Sequence, residues 1–274
     1  MFADYHVHTE FSDDSEYPME QVIKDSISMG MDELCFTDHV DYGVKVDWDD
    51  TNGYEEAEMT MNVDYPLYAA RIKELQYLYD TRLEIKMGLE FGMQTHTIPA
   101  FQRLFEKYPF DFIILSVHQI ENREFWNQEF QRGKSQKEYN ERYYKELMHL
   151  VNHYQQYSVL GHLDSIVRYD LCGVYPYKET EPVIREILKR VIYDGKGIEL
   201  NTSWHRYGLG DTTPSVDILK CYRELGGEIV TLGSDSHRPE HLGAYMKEAK
   251  DLLRHLGFRY HCTYNRMQPV FHSL

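Results

Sequence analysis

Asp4-Tyr5-His6-Val7-His8-Thr9-Glu10-Phe11-Ser12 stands almost at the start of the chain and orders the reading of everything after it. Residues 3–7 read as a short buried strand. Along a strand, residues i and i+2 face the same way, so His6 and His8 present two imidazoles side by side. Two neutral imidazoles held in that manner form half of a site for a divalent metal. A His-x-His pair also arises by chance in a chain with 14 histidines. Its weight depends on where the other His, Asp and Glu residues fall.

They fall at the ends of further strands. Residues 33–37 read as a strand followed by Asp38-His39, 83–89 lead to Glu90, and 110–117 lead to His118. Residues 158–161 precede His162, 197–200 precede Asn201, and 228–232 precede Asp235 and His237. Helices are expected between them. One covers 18–29, with Pro in its first turn and Gly30 as its stop. The next covers 64–80, where Tyr65, Tyr68, Ile72, Leu75 and Tyr79 recur at helical spacing. Others are expected at 98–107, at 135–157 behind the capping box Ser135-x-x-Glu138, and at 182–194 behind a Thr180 cap. The last two are 215–225, stopped by Gly226-Gly227, and 240–256. Residues 41–61 read as a long acidic loop over one end of the fold, and the tail from 258 begins with one more strand.

Strand and helix thus alternate about seven times, which predicts an α/β fold with a parallel sheet closed into a barrel over a single domain, 1–274. In such barrels, residues just past the C-terminal ends of the strands converge on one mouth. Six strand ends that each deliver a metal-competent side chain exceed what scattered histidines would produce.

Composition bounds the rest. Acidic residues outnumber basic ones 45 to 29, for a formal charge of -16. Such a surface repels nucleic-acid backbones, and no Lys/Arg stripe offsets it, so no nucleic-acid partner is expected. No apolar run approaches the roughly 20 residues of a membrane span, and no basic-then-apolar leader opens the chain, so a cytoplasmic protein is expected. Cys35, Cys172, Cys221 and Cys262 are scattered without a C-x-x-C pair. That argues for reduced thiols and against a thiolate zinc site.

The motifs His6-Val7-His8-Thr9 with Ser12, Thr37-Asp38-His39, Gly88-Leu89-Glu90, Ser116-Val117-His118, Gly161-His162-Leu163-Asp164 and Gly233-Ser234-Asp235-Ser236-His237 together resemble the PHP (polymerase and histidinol phosphatase) superfamily of metal-dependent phosphoesterases. Asp13-Asp14 and the stretch 116–126 make the chain most similar to the stand-alone histidinol-phosphate phosphatases within it. The resemblance implies a distorted (β/α)7 TIM-like barrel with three divalent metal ions (Zn, Fe or Mn). It implies that His6, His8, Glu90 and Asp235 hold one ion and that a bridging Glu90 shares the second with His118 and His162. His39 and His237 would hold the third with Asp14, where many relatives have His. Asp235, His237 and His39 would be catalytic as well as ligating. The implied substrate is L-histidinol phosphate, hydrolysed by a metal-bridging hydroxide attacking in line without a phosphoenzyme.

Nothing in the chain resembles a P-loop, so metals and side chains must hold the phosphate. Arg168 and Arg206 follow strand ends and are the expected clamp, because a guanidinium fork suits phosphate oxygens. Asp38 and Asp164 adjoin ligands and are candidates for orienting imidazoles. Glu121, Asn122 and Trp126, with His96 and His205, are candidates for the pocket wall. Two other readings stay open: a PHP nuclease or editing domain, against which the acidic charge counts, and a metal-dependent amidohydrolase. The latter fold usually places a bridging lysine where this chain has Glu90.

Overall fold

Seven parallel strands carry the molecule. A computed structural model describes residues 1–49 and 60–274, so part of the acidic loop expected at 41–61 lies outside the described residues. In chain order the elements are β1 (Ala3–Val7), α1 (Met19–Ser28), β2 (Glu33–Phe36), β3 (His39–Val40), α2 (Tyr65–Tyr79), β4 (Glu84–Gly92), α3 (Ile98–Lys107) and β5 (Phe112–Ser116). A small hairpin of β6 (Gln119–Ile120) and β7 (Arg123–Glu124) follows, then α4 (Gln136–His153), β8 (Val159–Leu160), α5 (Tyr177–Tyr193), β9 (Gly197–Asn201), α6 (Val216–Glu224), β10 (Val230–Gly233) and α7 (Met246–His255). The chain finishes with β11 (Tyr260–Asn265) and β12 (Gln268–Ser273).

The strand order is β1-β2-β4-β5-β8-β9-β10, every neighbour parallel, and β3 pairs alongside the upper part of β4. The ring closes through a bridge between Val7 and Ser236, where His8 N–H donates to Ser236 O at 2.8 Å and Ser236 N–H donates to His6 O at 3.1 Å. Asp4, fully buried, fastens the same seam by accepting from Ser234 N–H and Gly243 N–H, both at 2.9 Å. The expected (β/α) barrel is therefore the observed architecture.

Helices pack their apolar stripes on the outside of the ring. The stripe of α2 (Tyr65, Tyr68, Ile72, Leu75, Tyr79) is buried as its spacing predicts, and Ser135 and Glu138 form the reciprocal cap of α4. A separate apolar cluster fills the lower interior, with Ala3, Tyr5, Cys35, Phe112, Ile114 and Val159 from the strands meeting Cys262 and Tyr264.

Four expectations need correction. The helix expected from 182 begins at Tyr177: Thr180 Oγ donates to Tyr177 O, bending back into the helix instead of capping it, and Pro182 sits inside the helix, where its missing N–H forgoes one bond. The helix expected over 240–256 is broken, because Gly243 (φ 62°) and Tyr245 (φ 59°) are left-handed; this turn brings Gly243 N–H to Asp4. The strand expected to stop before Glu90 runs on to Gly92. The single tail strand is a two-stranded antiparallel hairpin, β11–β12.

Candidate metal centre

A bulge in β1 decides how His6 and His8 are aimed. Asp4 pairs with Leu34 and Val7 with Phe36, so β1 spends one residue more than β2 between those points. An extra residue of this kind re-aims side chains. Tyr5 accordingly joins the lower interior cluster, while its neighbour His6 turns into the mouth beside His8, with ring centroids 5.0 Å apart.

Glu90 is the hub. Fully buried, its Oε2 lies 3.1 Å from His6 Nε2, 3.6 Å from His8 Nε2 and 3.0 Å from His39 Nδ1. Its Oε1 lies 2.8 Å from His162 Nε2 and 3.1 Å from His118 Nε2, and accepts from Ser116 Oγ at 2.6 Å. Asp235 Oδ1 approaches His6 Nε2 at 3.9 Å and His8 Nε2 at 3.7 Å. His8 stacks on both His39 and His237 at 4.1 Å. Half-exposed Asp14 completes the rim, its Oδ2 3.1 Å from His237 Nε2 and 3.6 Å from His39 Nε2. All nine residues expected as ligands from the sequence therefore meet at one mouth.

Five buried atoms in this cluster, His6 Nε2, His8 Nε2, His39 Nδ1, Glu90 Oε2 and His162 Nδ1, have no hydrogen-bond partner, and the first four converge on one another. Donor atoms around one ion at 2.0–2.1 Å stand about 3–3.5 Å apart, close to the spacings found here. Orphaned donors at ligand spacing are what a divalent cation would satisfy, so the residues present fit the group. Convergent three-residue sets are His8–His39–His237, His6–His162–Asp235, His6–His8–Glu90 and His39–Glu90–His118.

Charge follows the same geometry. Burial alone would raise Glu90, but His6, His118 and His39 hold it well below the usual carboxylate range. Burial works against charge on His6 and His39, yet the carboxylates around each keep both imidazoles well above their ordinary value. Glu90 and Asp41 likewise lift His118, against burial, to about 9. His8 goes the other way, pushed down by burial and by His237 and His39. A cation entering here would displace protons from several of these rings.

Two buried carboxylates in contact with the clustered histidines escaped sequence reading. Asp41 Oδ1 lies 2.8 Å from His118 Nδ1, and its Oδ2 lies 2.9 Å from Lys45 Nζ. A Cβ on Gly92 would come within 1.7 Å of Asp41 Oδ1, so that carboxylate occupies space only glycine leaves. Glu199 Oε1 lies 2.6 Å from His6 Nδ1. A charged residue inside the buried strand Gly197-Ile198-Glu199-Leu200-Asn201 was a usable signal for Glu199; nothing marked Asp41 among the acids around it.

Of the other candidates, Asp38 accepts from Thr9 N–H at 2.6 Å and Ser12 Oγ at 2.7 Å, and Ser12 Oγ lies 3.2 Å from His8 Nδ1. It reaches an imidazole only through Ser12. Asp164 accepts from Ser215 N–H and touches no imidazole. Glu121 pairs with Arg142, Asn122 with Gln94 and His96, and His205 stacks on Tyr245.

The two arginines divide. Arg168 lines the cavity, donates to Ser203 Oγ at 2.6 Å, lies 3.2 Å from Asp235 Oδ2 and rests over the Tyr207 ring. Arg206 is outside the cavity wall, and its donors go to the carbonyls of Ser234 (2.8 Å) and Asp235 (2.6 Å). The cavity itself is about 440 Å³ and runs from the histidine cluster past Glu124, Phe125, Trp126, Tyr169 and Tyr207.

A PHP domain model matches residues 4–203. The chain belongs to the PHP domain family. Within that family it is 30% identical to a histidinol-phosphatase of Lactococcus lactis, over 97% of this chain and 95% of that one. It is 27% identical to a protein of Clostridium acetobutylicum named as a probable histidinol-phosphatase, over 94% and 95% of the two chains. The crystal structure of the Lactococcus lactis histidinol phosphate phosphatase, complexed with zinc, L-histidinol and phosphate, superposes with a TM-score of 0.85 at 29% identity, covering 98% of both chains. A Listeria monocytogenes structure at 21% identity and TM-score 0.73 shares the fold.

Proposed function

We propose that this protein hydrolyses L-histidinol phosphate to L-histidinol and phosphate in a metal-dependent reaction of histidine biosynthesis. The observation that carries the reading is the set of orphaned ligand atoms around Glu90, opening into a cavity whose far wall suits this alcohol. The relatives reported above support the substrate.

Three divalent ions, zinc among the candidates, fit the donor groups. His6, His8, Glu90 and Asp235 would hold one, Glu90 with His118 and His162 a second, and His39, His237 and Asp14 a third. Held there, they would supply the Lewis acidity and water activation that phosphate-ester hydrolysis needs at neutral pH. The chain's own contribution is to place and orient. Arg168 is a buried guanidinium on the cavity wall, held by Ser203 and Asp235, and it is the group we assign to a phosphoryl oxygen. Arg206 secures the backbone that aims Asp235. Trp126, Tyr169 and Tyr207 line the cavity where an imidazole ring would lie, and Glu124, with Asp13 beside its partner Lys45, brings carboxylates toward an ammonium group. No helix among the described residues is long and apolar enough to cross a membrane, and a small phosphate monoester in the cytoplasm is the partner we assign.

The test is phosphate release by the manganese-loaded protein from L-histidinol phosphate, with p-nitrophenyl phosphate beside it. A kcat/KM preference of at least about 10³, or some 4 kcal/mol of differential transition-state binding, is expected. Equal slow turnover of both would discard the substrate and keep the phosphatase.

A further inference from the structure

Glu199 lies at the centre of β9 with only 1% of its surface exposed, and three donors converge on its two oxygens. Oε1 faces His6 Nδ1 at 2.6 Å. Oε2 accepts from the backbone N–H of His162 at 2.9 Å and from Asn201 Nδ2 at 3.1 Å. His162 is itself left-handed (φ 23°), a conformation a non-glycine residue holds only when its surroundings impose it. Room for the carboxylate comes from Gly233 on the adjoining strand: a Cβ there would stand 2.2 Å from Glu199 Oε1 and 2.4 Å from His6 Cβ.

We infer that Glu199 is a positioning residue that fixes His6 as an Nε2 metal donor and locks it to His162, making ligands from two separate strands one unit. The inference rests on the metal-centre reading above. An imidazole hydrogen-bonded through Nδ1–H to a carboxylate has its lone pair on Nε2. That is the atom lying 3.1 Å from Glu90 Oε2 without a hydrogen-bond partner. Glu90 and Asp235 contact the same Nε2 side of the ring, so Glu199 alone, among these three carboxylates, sets the tautomer from behind.

Chemistry separates this role from simple packing. A carboxylate is acceptor-only, whereas an amide of the same shape has one oxygen and one NH2. In Glu199→Gln, the oxygen best serves the two donors on the Oε2 side, His162 N–H and Asn201 Nδ2. The NH2 then confronts His6 Nδ1 and forces the proton onto Nε2, blocking the ligand atom. Glu199→Asp keeps two acceptors on a shorter arm. A packing role therefore ranks Gln above Asp; a tautomer role ranks Asp above Gln.

The experiment measures Zn2+ bound per chain across a chelator-buffered series for the wild type, Glu199→Gln and Glu199→Asp, with the visible spectrum of Co2+-loaded protein and the unfolding midpoint of the metal-free chains. The expected result is metal affinity about 10- to 100-fold weaker in Glu199→Gln. A smaller loss is expected in Glu199→Asp, with an altered Co2+ spectrum in the Gln variant and a metal-free midpoint close to wild type. Wild-type affinity in Glu199→Gln, or Gln binding better than Asp, overturns the inference and leaves the metal centre standing. A wild-type chain that binds no divalent ion overturns both, and does so in the unsubstituted protein.

Discussion

The two ends of the barrel are built from the same strands by opposite rules. At the mouth, His6, His8, Glu90 and Asp235 are buried charges and ring nitrogens, several of them without partners. At the bottom, Tyr5, Phe112, Ile114 and Val159 meet Cys262 and Tyr264 of the terminal hairpin in an apolar cluster. Its few polar atoms are paired: Tyr264 N–H donates to Tyr5 Oη at 2.8 Å, Tyr264 Oη donates to Ser158 O at 3.1 Å, and Tyr5 Oη donates to Glu33. Buried unpaired polar atoms oppose folding and buried apolar surface favours it. The bottom therefore stabilises an arrangement that the mouth, without cations, strains.

The comparison breaks if the two ends respond alike to substitution. Glu90→Gln removes the hub of the mouth and is expected to lower kcat/KM for L-histidinol phosphate by at least about 10³-fold, near 4 kcal/mol, in a chain that still folds; steady-state kinetics and circular dichroism check this together. Tyr264→Ala at the bottom should cost about 3–5 kcal/mol of stability, read as a fall in the urea midpoint, with kcat/KM of the folded fraction unchanged. Loss of activity beyond the unfolded fraction would show that the ends are coupled.

Within the mouth, the arginines sharpen the contrast between a guanidinium on the cavity wall and one outside it. Arg168→Ala is expected to raise KM about 10- to 100-fold, some 1.5–3 kcal/mol for a hydrogen bond to a charged group, with the smaller effect on kcat because Arg206 still pairs with Asp235. Arg206→Ala, acting through Asp235, should lower kcat with the smaller effect on KM. An unchanged KM in Arg168→Ala would remove it from the phosphate site.

The last test concerns acid at the bottom. Burial, with Lys250, His272 and the N-terminal ammonium, pushes His261 on β11 down to about 3. Between that value and the unfolded value near 6.5, the unfolded chain binds a proton that the folded chain refuses. Stability from this group is complete above about 6.5 and is lost as pH falls toward 3, about 2 kcal/mol of it by pH 5. Urea midpoints at pH 7 and 5 should converge in His261→Gln relative to wild type; identical pH dependence in the two proteins would rule His261 out.

The convergence of the mouth was legible because the residues expected as its ligands sit in local patterns. Each of His8, His39, His118 and His162 announces itself within a residue or two of an apolar strand, and 3.6- and 2-residue periodicities separate helix from strand. What was illegible involves partners distant in sequence. Glu199 matters because it meets His6, and Asp41 because it meets His118; neither pairing has a local pattern. Periodicity likewise marks Tyr5, Phe112 and Tyr264 as apolar without saying that they share the inside of a ring. The break at Gly243 was hidden because the residues around it keep helical spacing, while the compensating contact, Gly243 N–H on Asp4, comes from the other end of the chain.

The seam between Val7 and Ser236 has a kinetic consequence. It joins the first strand of the ring to the segment after the last, so it forms only after a loop holding nearly the whole barrel has closed, and pairings of such sequence separation form slowly. Until then β1 and β10 are open edges that invite pairing with other chains. His6 and His8 stand on one side of this seam and Asp235 and His237 on the other. An ion gripped by both sides would act as a rivet across the joint, slowing its reopening, so that chelation would speed unfolding and promote association between chains before it altered any other part of the barrel.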